Sequence, residues 1–175
     1  MTGSTVDVRP PRRLPAAAVA AGLAGLLLLA GALWLYWDGS SRRAAESAGA
    51  DAVAAARESI PAILSYQPAT AEQDLPAAAR DRLTGRFRAD YTQAITTVVV
   101  PEAKQKGVTA RATVPAAAVV SADRRHAVVL AYVDQSLTVG AGRDMKAPTD
   151  NKSTVRVTMD NIDGRWLISG FDQEG

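Results

Sequence analysis

His126, Tyr132 and Asp134 are the residues of this sequence best placed to do chemistry. They fall at even positions of one apolar stretch, so an extended strand sets all three on one face. A carboxylic acid or phenol lining a pocket there could exchange a proton with a bound ligand, as in isomerase-type catalysis. Each also has a plainer reading. His126, the single histidine, stands at a strand start beside Arg124 and Arg125, where a solvated turn residue is expected. Tyr132 is assigned to the core, and Asp134 lies near the strand end, where polar side chains meet water. With no cysteine and no His/Asp/Glu cluster at ligand spacing, neither thiolate nor metal chemistry is expected. The sequence therefore names no catalytic, cofactor-binding or metal-binding residue, and the protein is read as a non-enzyme without a cofactor.

A second group is basic. Arg80, Arg82, Arg86 and Arg88 are interleaved with Asp81 and Asp90, which describes a solvated helix surface or, more sharply, a docking patch for anionic lipid or a partner. The chain as a whole gives no basic field for nucleic acid. Its 20 basic and 18 acidic residues include three arginines and one aspartate before Ala16, and the remainder carries 17 of each sign.

The elements that must position these groups begin with a membrane signal. Residues 16–37 contain no charge, and as a helix rising about 1.5 Å per residue they span roughly 33 Å, enough for a hydrocarbon core of about 30 Å. Arg9, Arg12 and Arg13 precede the run, and Trp34, Tyr36 and Trp37 close it with rings suited to the headgroup layer. Three arginines before the run against Arg42 and Arg43 after it place the N-terminus in the cytoplasm and the remainder outside. Arg12, Arg13, Trp34, Tyr36 and Trp37 are the expected membrane-interface residues. The alternative is a cleaved secretory signal, since Ala30-Gly31-Ala32 is an A-x-A tripeptide.

The expected organisation is a basic tail (1–15), a transmembrane helix (16–37), a stalk helix (38–60) and an exported α+β domain (61–175). Ala45, Ala48, Ala52, Ala55 and Ala56 make a weak apolar stripe on the stalk, and Pro61 is expected to kink or end it. Alanine favours helix but offers little volume to a core. Thr70 with Gln73 resembles a capping box, and Asp74 before Leu75-Pro76 is a competing start for a helix ending near Arg82. Leu83, Phe87, Tyr91 and Ile95 then share one helical face, which is expected to pack on a sheet.

After Gly107 the period changes to that of strands. Residues 108–120 form a strand interrupted at Pro115 by a bulge or lying on an edge. Residues 127–139 are apolar on both faces, as in a central strand, and residues 140–153 read as a loop at a hairpin tip. Val155, Val157 and Met159 alternate with polar residues, and Asp163-Gly164 is a two-residue hairpin turn before Trp166, Leu167, Ile168 and Phe171. Helices first and a meander after define an α+β domain, about three helices on a curved antiparallel four-stranded sheet, with room for one pocket between the layers.

In order and spacing, Leu64-Ser65-Tyr66, Asp74, Leu83-Thr84-Gly85-Arg86-Phe87, Tyr91, Ala127-Val128-Val129-Leu130 and Gly164-Arg165-Trp166-Leu167 following a tail and one span resemble the Mce-associated membrane proteins of actinobacteria. The resemblance covers nearly all of the chain after Leu14. It implies a nuclear transport factor 2-like cone outside the cytoplasmic membrane, accessory to Mce systems that import lipids or sterols through the cell envelope. The partners it implies are the bilayer, Mce transporter subunits or other Mce-associated proteins, and lipid. A membrane-tethered carrier domain for lipid or another small molecule is the alternative. Mass spectrometry of the mature N-terminus tests the anchor: an unprocessed chain is expected, and one starting at Leu33 overturns it.

Overall fold

The computed structural model describes residues 44–140 and 145–174. The tail, the apolar run and the first residues of the expected stalk lie outside these, and with them Arg12, Arg13, Trp34, Tyr36 and Trp37. Among the described residues no helix is long and apolar enough to cross a membrane.

Helix α1 occupies residues 44–64, where eleven of the first thirteen residues are Ala, Gly, Ser or Val and eight are alanine, the strongest helix former. Its stripe of Ala48, Ala52, Ala56, Ile60 and Ile63 is buried in the main core together with strand residues. The stretch expected as a stalk is thus, from residue 44, a packed layer of the domain. Its small side chains let the helix lie close to the sheet: a Cβ on Gly49 would come within 3.3 Å of a Val119 methyl and 3.5 Å of Ala122. Nor does Pro61 end the helix. The ring removes a donor, but the helix continues one turn to Leu64, and the amide of Ser65 still closes on the Pro61 carbonyl at 2.9 Å.

Helix α2 (Ala71–Arg82) starts after Thr70, yet no capping side-chain hydrogen bond forms there, and Pro76 sits inside the helix rather than in its first turn. Leu83 departs from the helical face expected of it. It is extended, donates its N–H to the Ala79 carbonyl as the cap of α2, and forms an isolated parallel bridge with Ile168, which buries it completely. Helix α3 (Gly85–Ala94) follows, then a π-helical turn (Ile95–Val99) and α4 (Val100–Lys106). In the π turn the Thr96 and Thr97 hydroxyls bond to the carbonyls of Thr92 and Gln93 at 2.9 and 2.8 Å. The wider turn lets Ile95 and Val100, five residues apart, both enter a satellite core with Ala71, Leu75 and Ala103. Gly107 closes α4 with φ 65°, a left-handed conformation suited to glycine, and a Cβ there would lie 3.3 Å from the Gly140 backbone.

Four strands, β1 (Thr109–Ala122), β2 (His126–Thr138), β3 (Thr149–Ile162) and β4 (Arg165–Glu174), form an antiparallel meander in sheet order β1-β2-β3-β4. Pro115 falls in a register shift between Thr113 and Ala116 on the edge strand β1, where a missing amide costs no ladder bond. β3 starts at Thr149, earlier than the loop reading allowed. One face of the sheet carries Val129, Ala131, Val133, Val155, Val157, Met159, Trp166 and Ile168 into the core beneath the helices. The other face is uncovered, and Tyr132 stands on it at 53 % exposure instead of in the core. The result is an α+β fold.

Neighbouring positions on α1 give a test of this packing. Ile60→Ala removes a fully buried side chain and is expected to cost about 2–5 kcal/mol. Ser59 is equally buried, and its hydroxyl has no partner among the described residues, so Ser59→Ala is expected to stabilise by roughly 1 kcal/mol. Urea denaturation followed by far-UV circular dichroism reads both. Equal losses at the two positions contradict the description of the helix face.

Candidate binding cavity at the open end of the sheet

Strand alternation builds a recess between the helices and the sheet. At the end of the sheet near the C-terminus of α1, odd-numbered positions of β2, β3 and β4 face the helices, and the register aligns Gln135 with Asn151, Val133 with Ser153, and Val155 with Gln173. The cavity they enclose with Leu64 and Phe171 has a volume of about 350 Å³. Its polarity is layered. Val133 and Val155 form the buried floor, while Asn151 and Gln173 are exposed at the rim. The Gln135 amide donates to the Leu64 carbonyl at 3.4 Å and so ties the rim to the last turn of α1.

Phe171 is the aromatic residue of the lining, and it opens a series of rings that runs to α3. Phe171 stacks on Phe87 of α3 with centroids 6.3 Å apart and planes within 7°, and Phe87 meets Tyr91 at 6.2 Å and 45°. The Tyr91 hydroxyl donates to the Ile63 carbonyl at 2.6 Å, joining α3 to α1. Burial first, and then the neighbouring Tyr66, raises the Tyr91 pKa well above that of a free phenol. The sequence reading found Phe87 and Tyr91 as one face. It missed Phe171 and Gln173 as cavity residues, and the i, i+2 spacing that joins them was the available signal.

The residues proposed for acid or base chemistry do not meet in this cavity. Tyr132 and Asp134 occupy the even positions of β2, on the uncovered face, where Asp134 lines shallow grooves with Lys152. His126 stands at the other end of β2, 67 % exposed, with Nδ1 2.9 Å from a carboxylate oxygen of Asp160. Among the described residues no group of three or more His, Cys, Asp or Glu side chains is placed to hold a metal ion.

The four arginines divide between two elements. Arg80 and Arg82 end α2, and Arg86 and Arg88 begin α3. Arg82 donates to Glu58 of α1 at 2.7 Å, which lowers the Glu58 pKa, and Arg86 lies 3.3 Å from Asp90. Arg80 and Arg88 are exposed and have no carboxylate within ion-pair distance among the described residues. The group is less uniformly basic than its spacing implied, because two of its charges are used within the domain.

The model of the family described as "Uncharacterized protein Rv1363c/MT1408-like" matches residues 14–172. "Outer membrane protein Rv1973" of Mycobacterium tuberculosis strain H37Rv is 50% identical over 151 residues, covering 86% of this chain and 91% of that protein. "Uncharacterized protein Rv1362c" of the same strain is 40% identical over 150 residues, covering 83% of this chain and 66% of that protein. Among solved structures, an IcmL-like type IV secretion system protein from Legionella pneumophila aligns with TM-score 0.56 at 12% identity, over 70% of this chain and 88% of that one. At this identity the likeness is one of fold.

The Tyr91 clasp gives a pH prediction. The unfolded chain ionises its tyrosines near pH 10, whereas the folded protein holds Tyr91 neutral to higher pH, so the stability carried by the neutral phenol is complete below about pH 10 and lost as pH rises beyond it. Tyr91→Phe gives up the bond to Ile63 and is expected to cost about 0.5–1.5 kcal/mol at neutral pH. Its stability then falls less steeply above pH 10 than that of the original chain, as urea midpoints across pH will read. Parallel curves overturn the assignment.

Proposed function

Because this chain belongs to the Rv1363c/MT1408-like family, we propose that it is a non-enzymatic, single-pass membrane accessory protein that binds and stabilises an Mce-type lipid or sterol import complex in the cell envelope. The span is residues 16–37, the N-terminus is cytoplasmic, and the α+β domain, of nuclear transport factor 2-like type, works outside the cytoplasmic membrane. Support for a membrane address comes from the uncharged run and from a relative named an outer membrane protein. The Mce assignment rests on the residue resemblance in the sequence.

The observation that carries the accessory reading is the modest size and mixed lining of the cavity. At about 350 Å³ it falls at the low end of small-molecule sites, roughly 300–1,000 Å³, and its rim is made of Asn151 and Gln173 rather than an apolar sleeve. A domain with its own core and little internal space acts through its surface. The exposed Arg80 and Arg88 are the proposed docking residues of the basic group, with Arg82 and Arg86 held by Glu58 and Asp90.

The carrier reading keeps one specific observation in its favour: the floor of Val133, Val155, Leu64 and Phe171 is apolar and could take a small ligand or part of a lipid chain. Affinity purification of the full chain from its native cells in mild detergent separates the two. Retention of transporter subunits, weakened by Arg80→Ala/Arg88→Ala, is expected. Absence of any transporter subunit alongside a bound apolar ligand in native mass spectra, lost in Val133→Trp, gives the role to the carrier. Membrane fractionation checks the address, and recovery with the outer membrane overturns the cytoplasmic-membrane anchor.

A further inference from the structure

Two tight turns close the end of the sheet away from the cavity, residues 123–125 between β1 and β2 and Asp163-Gly164 between β3 and β4. The Asn161 amide donates to the Arg125 carbonyl at 2.7 Å, so the two hairpin tips are joined. Asp163, in the second turn, is an exposed carboxylate, whereas the other two at the turns, Asp123 and Asp160, are engaged locally. One oxygen of Asp123 accepts the amides of Arg125 and His126 at 2.7 and 2.8 Å, and Asp160 is paired with His126. Arg124 and Arg125 are exposed and, among the described residues, have no carboxylate within ion-pair distance. Beside them Ile162 is an exposed large apolar side chain at 45 %.

The same end is where the described chain begins. Gly49 lies against Val119 and Ala122, close to the first of these turns, and residue 44 is a further five residues, about 7.5 Å, up the helix. Forty-three residues precede α1, and only residues 38–43 stand between it and the uncharged run at 16–37 in the sequence.

We propose that the joined hairpin tips seat on the surface of an anionic bilayer, with Arg124 and Arg125 on lipid phosphates and Ile162 in the headgroup layer. The inference rests on the membrane-anchor reading and adds to it an orientation and a lipid chemistry. Basic side chains near an anionic surface strengthen attachment about five-fold each, and an aliphatic side chain at the boundary adds to this. Seating also points the cavity away from the membrane, because residues 151 and 162 of β3 are about 37 Å apart along the strand.

The chain contains no cysteine, so single-cysteine labelling is unambiguous. The full chain is reconstituted in phosphatidylcholine vesicles with and without phosphatidylglycerol, each doped with headgroup-nitroxide lipid, and carries a fluorophore at Ile162→Cys or, for the opposite end, Asn151→Cys. Strong quenching at 162 in the anionic vesicles, with none at 151, is expected. The Arg124→Gln/Arg125→Gln double variant, both positions being exposed, is expected to lower the ratio of seated to unseated domain about 25-fold, as is omission of the anionic lipid in direction. Flotation of the same vesicles reports the anchor separately. Protein that floats with an unquenched label at 162, or with equal quenching at both positions, overturns the seating alone, while protein that does not float overturns the anchor as well. Concentration-dependent self-quenching at 162 without lipid quenching assigns the tips to a second copy of the chain and overturns the proposal.

Discussion

The close approach of α1 to the sheet is the constraint on which the rest of the domain depends. Ala48, Ala52 and Ala56 present only methyl groups to the strands, and Gly49 presents none, so the helix axis can come nearer than a leucine-faced helix could. Ile60 and Ile63 then fill the space that opens toward the C-terminus of the helix. Core volume comes instead from the sheet, through Val129, Val157, Met159 and Ile168. A helix of alanines contributes by being thin, and the close packing this permits holds two layers together with few large side chains.

This arrangement also locates the cavity. Where α1 ends, the thin helix no longer covers the sheet, and β2, β3 and β4 extend past it with polar residues at Gln135, Asn151 and Gln173. The aromatic series Phe171, Phe87 and Tyr91 spans the gap between β4 and α3 and anchors on the Ile63 carbonyl. At the opposite end the helix start and both hairpin turns come together. On its covered face the first end carries amides around an apolar floor, while the turns at the other carry arginines interspersed with aspartates.

Local sequence signals were reliable where a residue's own covalent structure forces the outcome. Pro115 cannot donate to a ladder and lies in a register shift on an edge strand; Asp163-Gly164 adopts positive φ at both positions and turns the last hairpin. Signals failed where the answer depended on what lay across the fold. Leu83 keeps helical spacing with Phe87, but Ile168 offers it an extended bridge, and Thr84 donates to the Ile168 carbonyl there. Tyr132 is as apolar as its neighbours on β2, and only the absence of a covering layer leaves it exposed. The cavity residues were overlooked for the same reason, since odd and even positions of β2 are equally hydrophobic in sequence.

By itself the sequence determined the α+β class, the order of helices before strands, the strand turns and the uncharged run at 16–37, because periodicity, proline and glycine act within a few residues of themselves. Tertiary structure alone decided which face of β2 is covered, that the alanine stripe is core rather than stalk, and which arginines are paired among the described residues. Those outcomes depend on contacts between residues far apart in the chain, such as Arg82 with Glu58, Leu83 with Ile168 and Gly49 with Val119, and no local pattern encodes the partner.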